Sequence, residues 1–151
     1  MDIKDVIETV NDLIETCKDG EYGFRRCAER VEAPGLKQVL GRRADECQKA
    51  ATELQTIISQ LGGTAETGGS ALGAIHRGWV SVRDALSGQS DLAVLEECER
   101  GEDAALDRYR SALEDALPPH VRNIVERQYE GVKRNHDQVR TLRNESRAEK
   151  A

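Results

Sequence analysis

The sequence predicts an all-α bundle of four long helices. Apolar residues recur every three or four positions through four long stretches, the spacing of one buried helix face. Phe, Trp and Tyr make up only 3% of the chain and Pro occurs three times, which suits aliphatic helix cores and argues against a sheet. Turn signals then cut the pattern at "EAPGL", "GG" and "PPH". At 151 residues the chain is the size of one domain, long enough to bury about two-thirds of its unfolded surface.

The first helix is predicted from about Asp2 to Val31, with Ile3, Ile7, Val10, Ile14, Cys17, Phe24 and Ala28 on one face. Pro34 and Gly35 stop it. The second spans about Leu36 to Leu61 along Leu36, Leu40, Cys47, Ala50, Leu54, Ile58 and Leu61, and ends at Gly62–Gly63. A third spans about Asp91 to Leu117, with Ser90 as its N-cap. After "PPH" the fourth runs from about Val121 to Leu142 along Val121, Val125, Gln128, Val132, Val139 and Leu142. Residues 1–143 are thus expected to form the bundle and the polar "NESRAEKA", residues 144–151, to fray.

Connection lengths set the topology. Two short turns make two antiparallel hairpins, and the stretch between them is long enough to carry the chain along the bundle. A short helix from about Ala71 to Leu86, with Trp79, Val82 and Leu86 inward, is expected within it. Two hairpins joined by one long crossover are the ferritin-like arrangement. Charge supports the pairing: residues 91–117 carry nine acidic and three basic residues, and residues 121–150 eight basic and five acidic.

A net charge of −6 lacks the basic footprint of a nucleic-acid or anionic-membrane binder. No stretch approaches the roughly 18 apolar residues of a membrane span, and the acidic N-terminus does not read as a signal peptide, so cytoplasmic residence is the expectation. Cysteines 17, 27, 47 and 98 include no CxxC pair and are expected to be reduced, packed as small hydrophobes. The Gly-rich "LGGTAETGGSALG" lacks the GK[ST] ending of a phosphate loop and reads as a linker. No standard catalytic motif is present, so whether the chain is an enzyme stays open.

The informative feature is acid on faces meant for burial. Turning from Leu95 at 100° per residue, Glu102 falls about 20° from the centre of the third stripe and Glu99 about 40°. On the first helix Glu21 follows Val10, Ile14 and Cys17 at steps of three or four, flanked by Gly20 and Gly23. Glu46 stands at the level of Glu21 but roughly 85° from its own stripe. His136 on the fourth helix should lie near the level of Glu99 and Glu102. Carboxylates gathered in a low-dielectric core need a cation, and carboxylate with imidazole suits iron or manganese. Arg43, near the centre of the second stripe, offers a cation of its own, with Gln128 and Asn135 completing a polar network. His76 and Trp79 in "HRGW" read either as a ligand site at the bundle end or as a Trp capping the core.

"NDLIETCKDGEYGFRRCAE", "GSALGAIHRGW", "ECERGEDAAL" and "LPPHVRNIVERQYEGVKRNHDQVRTLR" together resemble a bacterial family of small ferritin-like four-helix-bundle proteins of unknown function. The resemblance implies the fold and no settled activity. Against the usual di-metal pattern, Lys49 stands three residues after Glu46, and Tyr129 and Lys133 three after Glu126 and Glu130, so neither Glu-x-x-His is present. Two expectations follow. One is an altered metal site in metal homeostasis or stress, with Glu21, Glu46, Glu99, Glu102 and His136 as ligands. The other is a metal-free interaction or homodimerisation module with an Arg43/Gln128/Asn135 polar core.

Overall fold

The structure is a computed structural model that describes residues 1–65 and 90–150. Four helices follow in order: α1 (Ile3–Arg30), α2 (Pro34–Gln60), α3 (Asp91–Glu114) and α4 (Pro119–Lys150). The expected short crossover helix, with His76 and Trp79, lies outside the described residues.

Each boundary has a local cause. The Asp2 carboxylate accepts from the Asp5 backbone N–H at 2.9 Å and opens α1. Pro34 ends the first expected stretch, as predicted, but it also opens α2: its fixed φ and missing N–H suit the first helical position. At the far end of α2, Gly62 adopts φ 78° and the Gly63 N–H reaches Ile58 O at 3.0 Å, closing the helix in a Schellman turn. Ser90 caps α3 through its Oγ and the Ala93 N–H, as the sequence predicts. α3 stops at Glu114, three residues short of the expected Leu117. There Arg122 donates to the carbonyls of Leu113 and Asp115 at 3.0 and 2.6 Å and shapes the turn. α4 continues past Leu142 through the stretch expected to fray, where Arg, Glu, Ala and Lys are good helix formers.

α1 packs against both α2 and α3, and α3 packs against α4, whereas α2 and α4, also neighbours, touch only sparsely. The apolar core is divided in two. One cluster gathers Val10, Ile14, Cys17, Leu54, Ile58, Leu106, Tyr109, Val121 and Val125. The other holds Phe24, Cys27, Leu40, Ala44, Cys47, Cys98 and Val139. Along α3 the boundary falls between Cys98 and Leu106, where Glu102 stands. A polar layer therefore crosses the bundle at mid-length.

Candidate functional site: a polar layer around Arg43 and Glu102

Glu102 points inward as its place on the stripe predicts, and it is 1% exposed. Opposite it, Arg43 on α2 is also buried and donates from Nε to Glu102 Oε1 at 2.7 Å. The guanidinium lies over the Phe24 ring, 5.5 Å from its centroid, so α1 fixes the plane of the fork. Burial pushes the Glu102 carboxyl above its ordinary value, and Arg43 pulls against that shift. Burial likewise opposes the charge on Arg43, but Cys47 and Glu102 outweigh it and raise its pKa, so the guanidinium stays charged. The second carboxylate oxygen, Glu102 Oε2, is buried with no hydrogen-bond partner among the described residues.

A chain of hydrogen bonds runs beside this pair. Tyr109 Oη donates to Gln128 Oε1 at 2.8 Å and receives the Cys17 thiol at 3.2 Å. Gln128 Nε2 donates onward to Glu53 Oε1 at 2.7 Å, and Glu53 also pairs with Arg127. One level along, Asn135 Nδ2 donates to Glu46 Oε2 at 3.0 Å. Long polar side chains therefore bridge the seam where α2 and α4 stand apart. Behind these bridges lies a cavity of about 440 Å³ that all four helices line, Arg43, Glu102, Cys17, Tyr109 and Gln128 among its walls.

The five expected ligands are not brought together. Glu21 is turned toward solvent, its side chain 28% exposed, and pairs with Arg25 at 3.5 Å on its own helix. Its expected inward position is filled instead by close packing. A Cβ on the neighbouring Gly20 would stand 2.8 Å from Cys47 Sγ, so the group that approaches α1 closely is a thiol of α2. Glu46 is 43% exposed and lies 3.8 Å from Arg43 Nη1. Glu99 pairs with Arg143. His136 is buried and holds Asp103 Oδ1 through Nε2 at 2.6 Å. Glu21 and Glu99 thus have arginine partners of their own, Glu46 and Glu102 share Arg43, and His136 serves Asp103 instead. No three His, Cys, Asp or Glu side chains among the described residues form a group able to hold a metal ion. As they stand these side chains do not fit an inter-helix metal centre, because the position beside Glu102 belongs to Arg43.

Of the expected polar network, Arg43 and Gln128 are buried, while Asn135 is half-buried at the seam. Sequence periodicity did not single out Asp19, 4% exposed, which meets Arg108 at 3.2 Å. Asp19 lies two residues from Cys17, off the stripe, and is covered because α1 has neighbours on two flanks. Glu53 and Arg143 escaped for a related reason: they reach in from helix flanks. All four cysteines are free thiols and buried, as expected.

The chain is similar to known proteins in both sequence and structure. A family model described as a domain of unknown function (DUF2383) matches residues 5–115. The structure is similar to the bacterioferritin-related protein from Bacteroides fragilis, described as a dodecameric thioferritin. The TM-score is 0.78 at 15% identity, with 99% of this chain and 91% of that chain covered. No curated protein matches the sequence. The fold is a ferritin-like four-helix bundle, and no helix among the described residues is long and apolar enough to cross a membrane.

Proposed function

The chain belongs to the DUF2383 family, a domain of unknown function, and from that premise we propose a metal-free role for its ferritin-like bundle. In this reading Arg43 is the resident inter-helix cation. The protein works as a helical interaction module, associating with copies of itself, rather than as a metal-oxidising enzyme.

The observation that carries the reading is the buried Arg43–Glu102 bond. A guanidinium at 2.7 Å repels any further cation at that carboxylate, and removing it from the core would strand a buried charge. The absence of both Glu-x-x-His motifs from the sequence supports the same conclusion. Self-association draws on the Bacteroides fragilis neighbour, described as a dodecamer. Cytoplasmic residence belongs to the same proposal and is supported by four buried free thiols, which suit a reducing compartment.

The metal reading of the site makes a contrary demand. Arg43 would have to leave Glu102, and Glu21, Glu99 and His136 would have to exchange their present partners for one ion. Elemental analysis of protein expressed with added iron and manganese, and purified without chelator, separates the two. Sub-stoichiometric metal, unchanged in Glu102→Ala, is the expected result. A stoichiometric metal lost in that variant overturns the proposal. Sedimentation over a wide concentration range tests the association, and a monomer throughout with no co-purifying partner overturns that part.

A further inference from the structure

Two of the four buried thiols face each other across the α1–α3 interface. Contacts along the length of these antiparallel helices set their register. The Glu32 N–H meets Asp91, Asp19 meets Arg108, Cys17 meets Tyr109 and Thr9 meets Asp115, so partners descend α1 as they advance along α3. Between the first two of these contacts, that register brings Cys27 level with Cys98. Rotation aims both at the shared interface. Cys98 precedes Tyr109 by eleven residues, about three turns, and so lies on the line that meets Cys17. Cys27 follows Thr16 by eleven residues, and the Thr16 hydroxyl accepts from Arg108 of α3 at 3.4 Å. Both cysteines are 0% exposed and belong to one apolar cluster. Burial first, and then the neighbouring Cys27 thiol, push the Cys98 thiol well above 9.0.

We propose that Cys27 and Cys98 are an oxidisable pair, which hydrogen peroxide converts to a disulfide joining α1 to α3. One thiol, as its thiolate, attacks a peroxide oxygen. The S–O bond forms, the O–O bond breaks, and hydroxide leaves with the thiol proton as water. The second thiol then attacks that sulfur. An S–S bond forms, the S–O bond breaks, and the hydroxyl leaves with the second proton as another water. Two thiols are oxidised and one peroxide is reduced. The product suits the site, because a disulfide is neutral and apolar where a buried thiolate is charged. Register keeps the other two thiols out. Cys47 packs against Gly20, about one turn from Cys17 and two from Cys27, and Cys17 is engaged with Tyr109. The cross-link ties the first hairpin to the second through the core. With both thiols buried, it forms through openings of the bundle, more slowly than at an exposed cysteine.

The test exposes full-length reduced protein to hydrogen peroxide, with chelator present so that trace metal does not catalyse the oxidation. Peroxide is then removed with catalase, and the chain is denatured, alkylated and weighed intact. Digestion without reductant maps the bond. The expected chain has lost two hydrogens, is alkylated at Cys17 and Cys47, and yields one peptide pair joined through Cys27 and Cys98. Dithiothreitol should restore all four alkylatable thiols. The oxidised protein should melt at least about 5 °C higher, because the cross-link constrains the unfolded chain. The double variant Cys17→Ala with Cys47→Ala should still lose two hydrogens, and Cys98→Ala should not. Four alkylatable thiols after an exposure that oxidises free cysteine overturn the inference. So does a bond through Cys17 or Cys47, a bond between chains in place of the internal one, or oxygen retained on Cys27 without a disulfide. None of these readouts depends on metal or on self-association, so failure here leaves the proposed function standing.

Discussion

Two residue-scale contacts decide the middle of the bundle. Arg43 and Glu102 are each desolvated, so neither charge is favourable without the other. Glu102→Leu should therefore cost about 3–5 kcal/mol in urea unfolding, because it leaves Arg43 buried with only the half-exposed Glu46 at 3.8 Å opposite it. The double variant Arg43→Met with Glu102→Leu should recover most of that loss. A double variant as unstable as the single would show that the pair itself, and not the stranded charge, sets stability. The second contact is Gly20 against Cys47. Gly20→Ala forces a Cβ to 2.8 Å from the thiol, and overpacking of about 1–3 kcal/mol should outweigh a helix-propensity gain of about 1 kcal/mol. Adding Cys47→Ala removes the opposing sulfur and should restore the stability lost to overpacking, read as the shift in thermal midpoint.

At the scale of elements, the return of the crossover is tied to the first hairpin by one residue. Asp91, the first residue of α3, accepts from the backbone N–H groups of Glu32 and Ala33 at 2.8 and 3.2 Å. Those donors sit at the α1–α2 turn, where Ala33 offers no side-chain cap of its own. Asp91 thus satisfies the entry of α2 while placing its own charge in the first turn of α3. Asp91→Ala should lower stability by about 1–2 kcal/mol and raise amide exchange at residues 32 and 33 first. Faster exchange confined to α3, with the turn unchanged, would show that the aspartate serves only its own helix.

For the whole molecule, the two apolar clusters and the polar layer between them predict how stability depends on pH. Burial pushes the Cys17 thiol up to about 11, and Cys98 and Tyr109 well above their ordinary values of 9.0 and 10.0. In the unfolded chain these groups ionise near the ordinary values, so from about pH 9 the unfolded state holds fewer protons than the native one. Their stabilising contribution is complete below pH 9 and is lost as pH rises toward the native values. Each such group adds a slope of about 1.4 kcal/mol per pH unit in that window. The urea midpoint should fall steeply above pH 9, and Cys98→Ala should flatten the fall. An alkaline limb equally steep in that variant would sink the assignment to buried thiols. Glu102 acts in the same sense at lower pH, because its native pKa is raised above 4.5: stability should decline as pH climbs through the range between its unfolded and native values.

The helices, their order and the hairpin pairing were legible in the sequence, because amphipathic period, Pro, Gly and connection length are local signals. Glu102 was legible for the same reason, since it lies within 20° or so of its stripe. The identity of its partner was not. A helical wheel gives the direction of a side chain on its own helix and says nothing about which of several inward groups stands opposite. Periodicity placed Glu21 and Arg43 alike on buried faces; packing turned Glu21 out to Arg25 and brought Arg43 over Phe24 to Glu102. Asp19 shows the same limit from the other side, polar by pattern and buried because α1 is covered on two flanks. The sequence alone thus determined that acid enters the core. Only the tertiary structure decided that an arginine meets it there, because the choice depends on the relative rotation of three helices.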